Sequence, residues 1–411
     1  MPDCRPRVVV VGNIVLDIIP QIGPRGTEAK TLFVPGKAVS VGPATLALGG
    51  AVPNTGLALH RLGLPVRLVG KIGDDLFGRV ILDRLREYDP ALTDGVIVAE
   101  REHSSYTVVI NPPGEDRFFL HYTGANDAFG ADDVAEEQLA QAELFHFGYP
   151  PAMRRMYADG GQELETLFRR AKARGLTTSL DMALPDPESE AVQAPWSTLL
   201  ARALPYVDLL LPSLAETVLM LDPERFKRMS QEAGPTGVIA QADGALLGEL
   251  SDWLLGLGVA VVGLKLGDQG LYVRTTDDAN RLTSLGKGLQ EPGGWQGREL
   301  LVPCFQVDVV GTTGAGDCTV AGFLAGLLQG LPLEDAMTSA VAVGACSVEE
   351  ADAKRHMPSW SAVRARIRSG WARRPVALLL PGWRWDAEKA IWIGPHDAFP
   401  AAVGGRPSGD Q

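Results

Sequence analysis

Short apolar runs alternate with helical segments along most of the 411-residue chain, and this alternation constrains the fold more than any other feature. The run RVVVVG at residues 7–12 is β-branched and ends in glycine, which is typical of a strand buried on both faces. Helical patterns at 76–87 and 161–174 each follow a short apolar run. Because repeated strand–helix units form parallel sheets covered by helices, the sequence predicts an α/β fold with a doubly wound, mostly parallel sheet flanked by helices.

Two regions depart from this alternation. Residues 14–46 carry prolines and glycines without helical periodicity, and 96–122 contains strand-like runs separated by NPPGED, which is a hairpin signal. We expect these regions to form a small β-sheet lid from about residues 14–46 and 98–123.

The remaining irregular parts are predicted as attachments to one main domain over residues 1–370. Segments 223–257 and 275–300 are rich in glycine and polar residues, so we interpret them as loops or insertions. Residues 371–411 contain LLLP, WRW and IWI, which predict a hairpin-like extension followed by a tail.

Composition excludes several classes of partner and site. The net charge of −12 argues against nucleic-acid or anionic-membrane partners, which require basic patches. We find no apolar run long enough to cross a bilayer. The four cysteines show no CxxC spacing and the six histidines are scattered. We therefore expect a cytoplasmic protein without a zinc site, in which oxygen ligands would hold any metal.

The segment GTTGAGD at 311–317 stands between a strand predicted over 305–310 and a helix that is apolar nearly all round. The first turn of a helix has unpaired N–H groups and favours an anion, and Gly314 and Gly316 let the backbone approach one. Asp317 could then take a proton from a hydroxyl while the amides stabilise a phosphoryl group. The alternative is that Asp317 is the N-cap of a core helix. The spacing fits neither a Walker A loop nor a dinucleotide-binding motif.

The longer segment GTTGAGDCTVAGFLAGLLQG resembles the C-terminal signature of the ribokinase-like (PfkB) carbohydrate kinases. This resemblance implies that Asp317 is the catalytic base and that Gly314, Ala315 and Gly316 form the anion hole. It also implies a ribokinase-like fold, with Thr312 in contact with the nucleotide.

A second signature of that family resembles LGGAVPN, which precedes a helix ending in LG. The resemblance implies that Gly49, Gly50 and Asn54 contact substrate hydroxyls, and that Asp17, after the first strand, binds them too. Asn126 in YTGAN is similar to a family residue that is substrate-adjacent or structural. For Asn54 the alternative is an N-cap of the following helix.

The nucleotide side is predicted from GLKLGDQG, which resembles the strand and turn that line the family's ATP site. We infer Lys265 and Gly267 as cofactor-binding residues, although the family commonly has Thr at the position of Lys265. Ser347 lies on the next helix, where the family packs adenine, and is a further nucleotide candidate.

The cation sites depart from the family pattern. The family's Asn-x-x-Glu motif for Mg²⁺ is here PSLAE, with Ser213 in place of Asn. Glu216 can still hold a water of the metal shell, since Mg²⁺ takes few carboxylates, and Asp181 either supplements it or caps a loop. Where many members have an Asp that helps bind a monovalent cation, this chain has Gly311, so a monovalent cation is doubtful.

Taken over about residues 7–370, the resemblance predicts an ATP- and Mg²⁺-dependent kinase. It would phosphorylate a hydroxymethyl group of a sugar or sugar-like substrate, with the lid excluding water. One alternative is a nucleoside kinase of the same fold, in which aromatic residues such as Tyr106, Tyr122 and Tyr149 stack on a base. Another is a ligand-binding regulatory homologue with weak activity. The exposed edge of the lid could pair in a homodimer.

Overall fold

The computed structural model describes residues 7–23, 34–112, 118–231, 234–286, 288–289, 292–350 and 356–398. Its strands are β1 (Val8–Gly12), β2 (Val15–Pro20), β3 (Ala44–Gly49), β4 (Val66–Gly73), β5 (Val96–Ala99), β6 (Tyr106–Ile110), β7 (Phe118–Tyr122), β8 (Leu144–Gly148), β9 (Thr177–Asp181), β10 (Leu209–Leu210), β11 (Val261–Lys265), β12 (Leu271–Thr275), β13 (Glu299–Val302), β14 (Arg384–Asp386) and β15 (Ile391–Ile393).

Its longer helices are α1 (Ala51–Arg61), α2 (Leu76–Arg86), α3 (Gln162–Ala173), α4 (Trp196–Ala203), α5 (Leu214–Leu221), α6 (Pro223–Ser230), α7 (Gly234–Ala240), α8 (Gly244–Gly256), α9 (Ala315–Leu328), α10 (Leu333–Val348) and α11 (Trp360–Arg368). Short helical turns occur at Glu136–Leu139, Arg154–Tyr157 and Ala279–Thr283.

Within the described ranges, the larger sheet has eleven strands in the order β14-β15-β13-β12-β11-β10-β9-β8-β1-β4-β5. From β5 across to β11 neighbouring strands are parallel, and from β11 to β14 they are antiparallel. The predicted doubly wound, mostly parallel sheet is therefore confirmed. The antiparallel end includes β13, half of which lies within the segment 275–300 that the sequence predicts as loops.

Helices cover both faces of this sheet, as strand β1 shows. Val8 and Val10 of β1 belong to one apolar core, and Val9 and Val11 belong to another. Successive side chains of a strand point to opposite faces, so a run of four buried valines requires a helical layer on each side. No helix in the described residues is long and apolar enough to cross a membrane.

A smaller sheet forms the predicted lid, with strands in the order β3-β2-β6-β7. β5 is not part of it, because Gly70 to Gly73 of β4 pair in parallel with Val96 to Ala99. The expected lid boundary at residue 98 is therefore wrong, since residues 98 and 99 belong to the edge strand of the large sheet. The interiors of both lid loops, 24–33 and 113–117, lie outside the described residues.

Two local predictions are wrong. Most of the described residues between 223 and 257 form α6, α7 and α8 rather than loops. Asp222 and Asp243 cap two of these helices by accepting hydrogen bonds from backbone amides. Residues 305–310 are not a strand, because their amides find other acceptors: Gln306 N–H donates to Ala372, and Val310 N–H donates to Val348 at the end of α10.

The residues after 371 extend the large sheet. Strands β14 and β15 are an antiparallel pair in which Trp385 lies opposite Trp392, with their rings 5.4 Å apart. β15 in turn pairs with β13. The predicted tail falls mostly on residues 399–411, outside the described part of the chain.

Candidate active site

The N-terminus of α9 is the centre of the site. Gly314 is its N-cap, with φ 77° and ψ 5°, a left-handed conformation that glycine adopts without strain. The next fourteen residues form a helix that is buried on almost every side. The first amides of such a helix have no acceptor within it and carry partial positive charge. The geometry at the start of this buried helix therefore favours an anion, and the anion hole stays a prediction.

Asp317 lies in the first turn of α9 with 1% of its surface exposed. Its Oδ2 accepts hydrogen bonds from Asn54 Nδ2 at 3.0 Å and from the Tyr149 hydroxyl at 2.8 Å. Its Oδ1 accepts a longer bond from Thr55 Oγ1 at 3.4 Å. The carboxylate thus faces side chains of other elements and does not cap its own helix, so the N-cap alternative for Asp317 is wrong.

Asn54 joins the two predicted signatures in space. It lies inside α1, whose N-cap is Gly50, so the N-cap alternative for Asn54 is also wrong. Its amide donates to Asp317, 263 residues away in the chain. A Cβ atom placed on Gly314 would lie 3.6 Å from the amide carbon of Asn54. The glycine-rich turns at both ends of the domain therefore meet at one point.

The surroundings of Asp317 tune its basicity. Burial raises the pKa of Asp317 to about 6, and the negative charge of Asp181 contributes in the same direction. The Lys265 ammonium and the donors Tyr149 and Asn54 oppose this rise. A carboxylate with this pKa is ionised at neutral pH and is a stronger proton acceptor than an exposed aspartate.

Lys265 and Asp181 form a buried ion pair next to α9. Lys265 Nζ lies 2.6 and 2.7 Å from the two carboxylate oxygens of Asp181. The two residues end the parallel strands β11 and β9, at the edge of the sheet where ligands bind in open α/β folds. A Cβ atom on Gly316 would lie 3.5 Å from Lys265 Nζ. The structure therefore places a positive charge beside the predicted anion hole.

Glu216 lies in the first turn of α5, where it forms a capping box with Ser213. Its Oε2 accepts the Ser213 amide at 2.6 Å, and its own amide donates to Ser213 Oγ at 3.2 Å. Burial raises the pKa of Glu216 to about 7; Lys265 opposes this rise and Asp181 adds to it. Ser213, which replaces the family's Asn, thus serves as a helix cap.

A cavity of about 400 Å³ adjoins the start of α9. Thr312, Lys265 and Gly267, which we predict to bind nucleotide, line it together with Ala315 and Gly316 of the predicted anion hole. Their roles toward a nucleotide stay predictions. Its walls further out are mostly apolar: Ile239, Phe305, Val307, Val309, Val341 and Val348. A polar end and an apolar slot suit a molecule with a charged head and a flat, weakly polar body.

Ser347 does not line this cavity. Its hydroxyl is buried and donates to the Gly344 carbonyl one turn earlier in α10 at 2.7 Å. Gly344, Ala345 and Val348 of the same helix line the cavity instead. Ser347 is therefore not on the face of α10 that borders the cavity, and the contact of this helix with a nucleotide stays a prediction.

The predicted substrate residues divide into two groups. Asp17 on β2 and Gly49 on β3 are in direct contact, because a Cβ atom on Gly49 would lie 2.8 Å from Asp17 Oδ1. Gly50 has φ 89°, and a Cβ atom there would lie 2.6 Å from the Asn13 carbonyl oxygen. These residues connect the lid to α1, next to Asn54. Asn126 instead bonds the backbone of Ile14 with both amide atoms, each at 3.1 Å, which favours its structural alternative.

Tyr149 and Thr55 are contacts of Asp317 that motif reasoning missed. Tyr149 was considered only as an aromatic surface for a base. A usable signal was its position immediately after β8 in FGYPP, because residues that follow parallel strands lie at the ligand-binding edge. Among the described residues, no group of three or more acidic, histidine or cysteine side chains is arranged to hold a metal ion.

Comparison with known proteins extends over nearly the whole chain. The family described as pfkB family carbohydrate kinase matches residues 6–360. An uncharacterized sugar kinase of Archaeoglobus fulgidus is 24% identical over 74% of this chain and 98% of its own length. The 2-dehydro-3-deoxygluconokinase of Bacillus subtilis is 26% identical over 74% of this chain and 81% of its own.

Solved structures with the same fold are similarly distant in sequence. The ribokinase of Arabidopsis thaliana, complexed with ribose and ATP, has a TM-score of 0.62 at 21% identity and covers 88% of this chain and 98% of its own. A putative ribokinase II from E. coli in complex with ATP and Mg²⁺ has a TM-score of 0.61 at 20% identity, covering 89% and 99%. The fold, the matched residues and the meeting of both signatures at Asp317 lead to one conclusion: the chain belongs to the PfkB family of carbohydrate kinases.

Proposed function

We propose that this chain transfers the γ-phosphoryl group of ATP to a hydroxymethyl group of a sugar or sugar-like substrate. The observation that carries this proposal is the position of Asp317: a buried carboxylate, held by three donors, in the first turn of a helix that opens onto the 400 Å³ cavity. The similarity to kinases whose structures contain ATP supports the choice of phosphoryl donor.

In the proposed reaction Asp317 accepts the proton of the acceptor hydroxyl. The hydroxyl oxygen bonds to the γ-phosphorus as the bond from that phosphorus to its bridging oxygen breaks, so that ADP leaves. The start of α9 at Gly314, Ala315 and Gly316 faces the charge that develops on the phosphoryl oxygens, with the amides of Gly314 and Gly316 as donors. The Ala315 amide donates to the Thr312 carbonyl at 3.2 Å. The Lys265 ammonium lies beside Gly316 and neutralises part of that charge.

The residues of the site fit Mg²⁺ bound largely through water and phosphate. Three carboxylates, Asp181, Glu216 and Asp317, all raise the pKa of the Lys265 ammonium, so the cluster of these four residues carries an excess of negative charge. Glu216 is the residue that we propose to hold a water of the metal shell. When bound, Mg²⁺ would supply charge neutralisation and orientation of the phosphates.

We further propose that the small sheet closes over the acceptor and that Asp17, Gly49, Gly50 and Asn54 select its hydroxyls. Backbone approach at the two glycines and the donor–acceptor pair of the Asn amide suit a polyol. A homodimer through the lid remains a prediction. The exposed side chains of β7 give such a contact apolar surface: Phe118, Phe119, Leu120 and Tyr122.

The test is ADP release with a panel of pentoses, hexoses, ketoses, sugar acids and nucleosides. We expect turnover with at least one sugar or sugar acid, and a kcat lowered about 10³-fold in Asp317→Asn with an unchanged unfolding temperature. Asp83→Asn, which alters an exposed carboxylate on α2, is the matched control and should retain full activity. Turnover restricted to nucleosides would contradict the substrate class. Wild-type activity in Asp317→Asn would contradict the mechanism, and ATP binding without turnover would favour a regulatory protein.

A further inference from the structure

Tyr149 combines an unusual backbone with a contact to the proposed base. Its φ of 64° and ψ of 48° place it in the left-handed region, which bulky side chains rarely adopt. It stands between β8 and Pro150, at the carboxyl edge of the large sheet. An outlier of this kind at a ligand-binding edge is a reason to look for a function.

The surrounding backbone holds Tyr149 in this conformation. Its amide donates to the Asp181 carbonyl at 3.2 Å, and its own carbonyl accepts from the Ala152 amide at 3.0 Å. The preceding residue, Gly148, pairs with Gly12 on one side and Asp181 on the other. With its main chain fixed from both sides, Tyr149 directs its hydroxyl to Asp317 Oδ2 at 2.8 Å.

The two oxygens of Asp317 are therefore unequally occupied. Oδ2 accepts from both Tyr149 and Asn54, at 2.8 and 3.0 Å. From the described part of the chain, Oδ1 accepts the long contact from Thr55 at 3.4 Å. An oxygen with two short donors has little capacity for a third, whereas Oδ1 still has lone-pair capacity toward an acceptor hydroxyl.

We propose that Tyr149 is a positioning residue for the base: its hydroxyl, together with Asn54, fixes Oδ2 of Asp317 and leaves Oδ1 to take the proton. This inference rests on the proposed function of Asp317. The phenol suits the role because burial and the nearby carboxylates raise the pKa of Tyr149 well above its ordinary value. It therefore stays protonated and donates throughout the working pH range.

The test is Tyr149→Phe, which keeps the ring and removes the hydroxyl. We expect kcat to fall about tenfold because a hydrogen bond to a charged group is lost, with the KM values for ATP and acceptor changing less than about twofold. Loss of the donor also raises the pKa of Asp317, so the acid limb of the kcat–pH profile should move to higher pH. A purely structural tyrosine would not shift that limb.

Tyr272→Phe is the matched control. Tyr272 donates to the buried Glu299 carboxylate at 3.0 Å, so its loss removes the same type of bond outside the site. It should lower the unfolding temperature and leave kcat and the pH profile unchanged. If Tyr149→Phe is too unstable to assay, Tyr149→Gly removes the hydroxyl while suiting the left-handed backbone, and the same fall in kcat and shift of the acid limb are expected.

The outcomes separate this inference from the proposed function. A wild-type kcat and pH profile in Tyr149→Phe or Tyr149→Gly, with Asp317→Asn inactive, would overturn the role of Tyr149 alone. An active Asp317→Asn would overturn the proposed base, and the role of Tyr149 with it.

Discussion

Two buried aspartates at the edge of the large sheet are held in contrasting ways. Asp317 is surrounded by neutral donors, the side chains of Asn54, Thr55 and Tyr149. Asp181 binds the Lys265 ammonium through both oxygens. Neutral donors orient a carboxylate without cancelling its charge, so Asp317 stays basic, whereas the bidentate cation compensates Asp181. One region is suited to move a proton and the other to hold charge.

The same division separates the residues that match the family pattern from those that depart from it. Asp317 and Asn54 lie in the two segments that resemble the family signatures, and the structure brings them together. The departures, Lys265, Ser213 and Gly311, concern residues near the positions where we propose that nucleotide and cations bind. In this chain a resident ammonium lies where the family commonly has an uncharged threonine. The region that we propose to hold charge therefore departs from the family pattern more than the region that we propose to accept the proton.

The largest expected effect comes from removing that ammonium. Lys265→Met leaves Asp181, which has no exposed surface, without its cation. Breaking one side of a buried pair costs about 3 kcal/mol of unfolding free energy. Because protonation at low pH neutralises the unpaired Asp181, the loss of unfolding free energy should be greater at pH 8 than at pH 5. Urea unfolding at both pH values measures it.

Two further variants test whether the loss of stability comes from the unpaired charge of Asp181. Asp181→Asn/Lys265→Met removes both charges and should recover most of the lost stability, since no unpaired charge remains at the pair. Lys172→Met is the matched control: its partner Asp208 is also fully buried but keeps Arg281 at 2.6 Å. Its effect should be smaller. If Lys265→Met and Lys172→Met lost the same unfolding free energy, a second cation at the buried aspartate would make no difference to stability, contrary to this prediction.

Glu216→Gln should increase the free energy of unfolding at high pH, whereas Lys265→Met should decrease it. With its pKa raised to about 7 from an ordinary 4.5, folded Glu216 keeps a proton that the unfolded chain releases between those values. Its contribution to stability therefore falls as pH rises through this window. Gln can still accept the Ser213 amide, so the variant should be more stable than the wild type by about 1 kcal/mol at pH 8 and equal at pH 4.

Unfolding free energies across pH 4–8 measure this difference, and kcat at saturating and limiting Mg²⁺ measures the proposed metal role. We expect Glu216→Gln to gain stability and lose activity together. A variant that loses both would show that Glu216 serves only as a helix cap.

Much of the fold could be predicted from the sequence because its signals are local. The buried run of β1 and the glycine-rich turn before α9 are each contained in a few adjacent residues, and both predictions were correct. The helices α6 to α8 were missed because their glycines and polar residues resemble loop composition. The N-cap residues of two of these helices, Asp222 and Asp243, are a helix signal in the sequence that an interpretation based on composition overlooks.

The site was less predictable where it depends on tertiary contacts. The role of Asp317 is implied by its motif, but its donors come from α1 and from the end of β8. The left-handed conformation of Tyr149 is set by the backbone of Asp181, and no neighbouring sequence encodes it. The position of Ser347 also depends on tertiary packing. The contacts between α10 and its neighbours decide which face of the helix reaches the cavity, and the Ser347 hydroxyl bonds within its own helix.

The smallest expected effect concerns monovalent cations. Gly311 brings no carboxylate to the turn before α9, and a Cβ atom there would lie 3.9 Å from the Glu350 carbonyl oxygen, its nearest neighbour among the described residues. We therefore expect kcat to differ by less than about twofold between sodium and potassium salts, because a weakly held cation needs several oxygen ligands.

Gly311→Asp restores the family's residue, and the added Cβ atom would make only an ordinary van der Waals contact. If the wild-type kcat does not respond to potassium because this carboxylate is missing, potassium should raise the kcat of Gly311→Asp and leave that of the wild type unchanged. Potassium activation of the wild type would mean that other oxygens of the turn bind the cation. The departure at Gly311 would then be separate from those at Lys265 and Ser213, and the contrast between the two regions would rest on the Lys265–Asp181 pair alone.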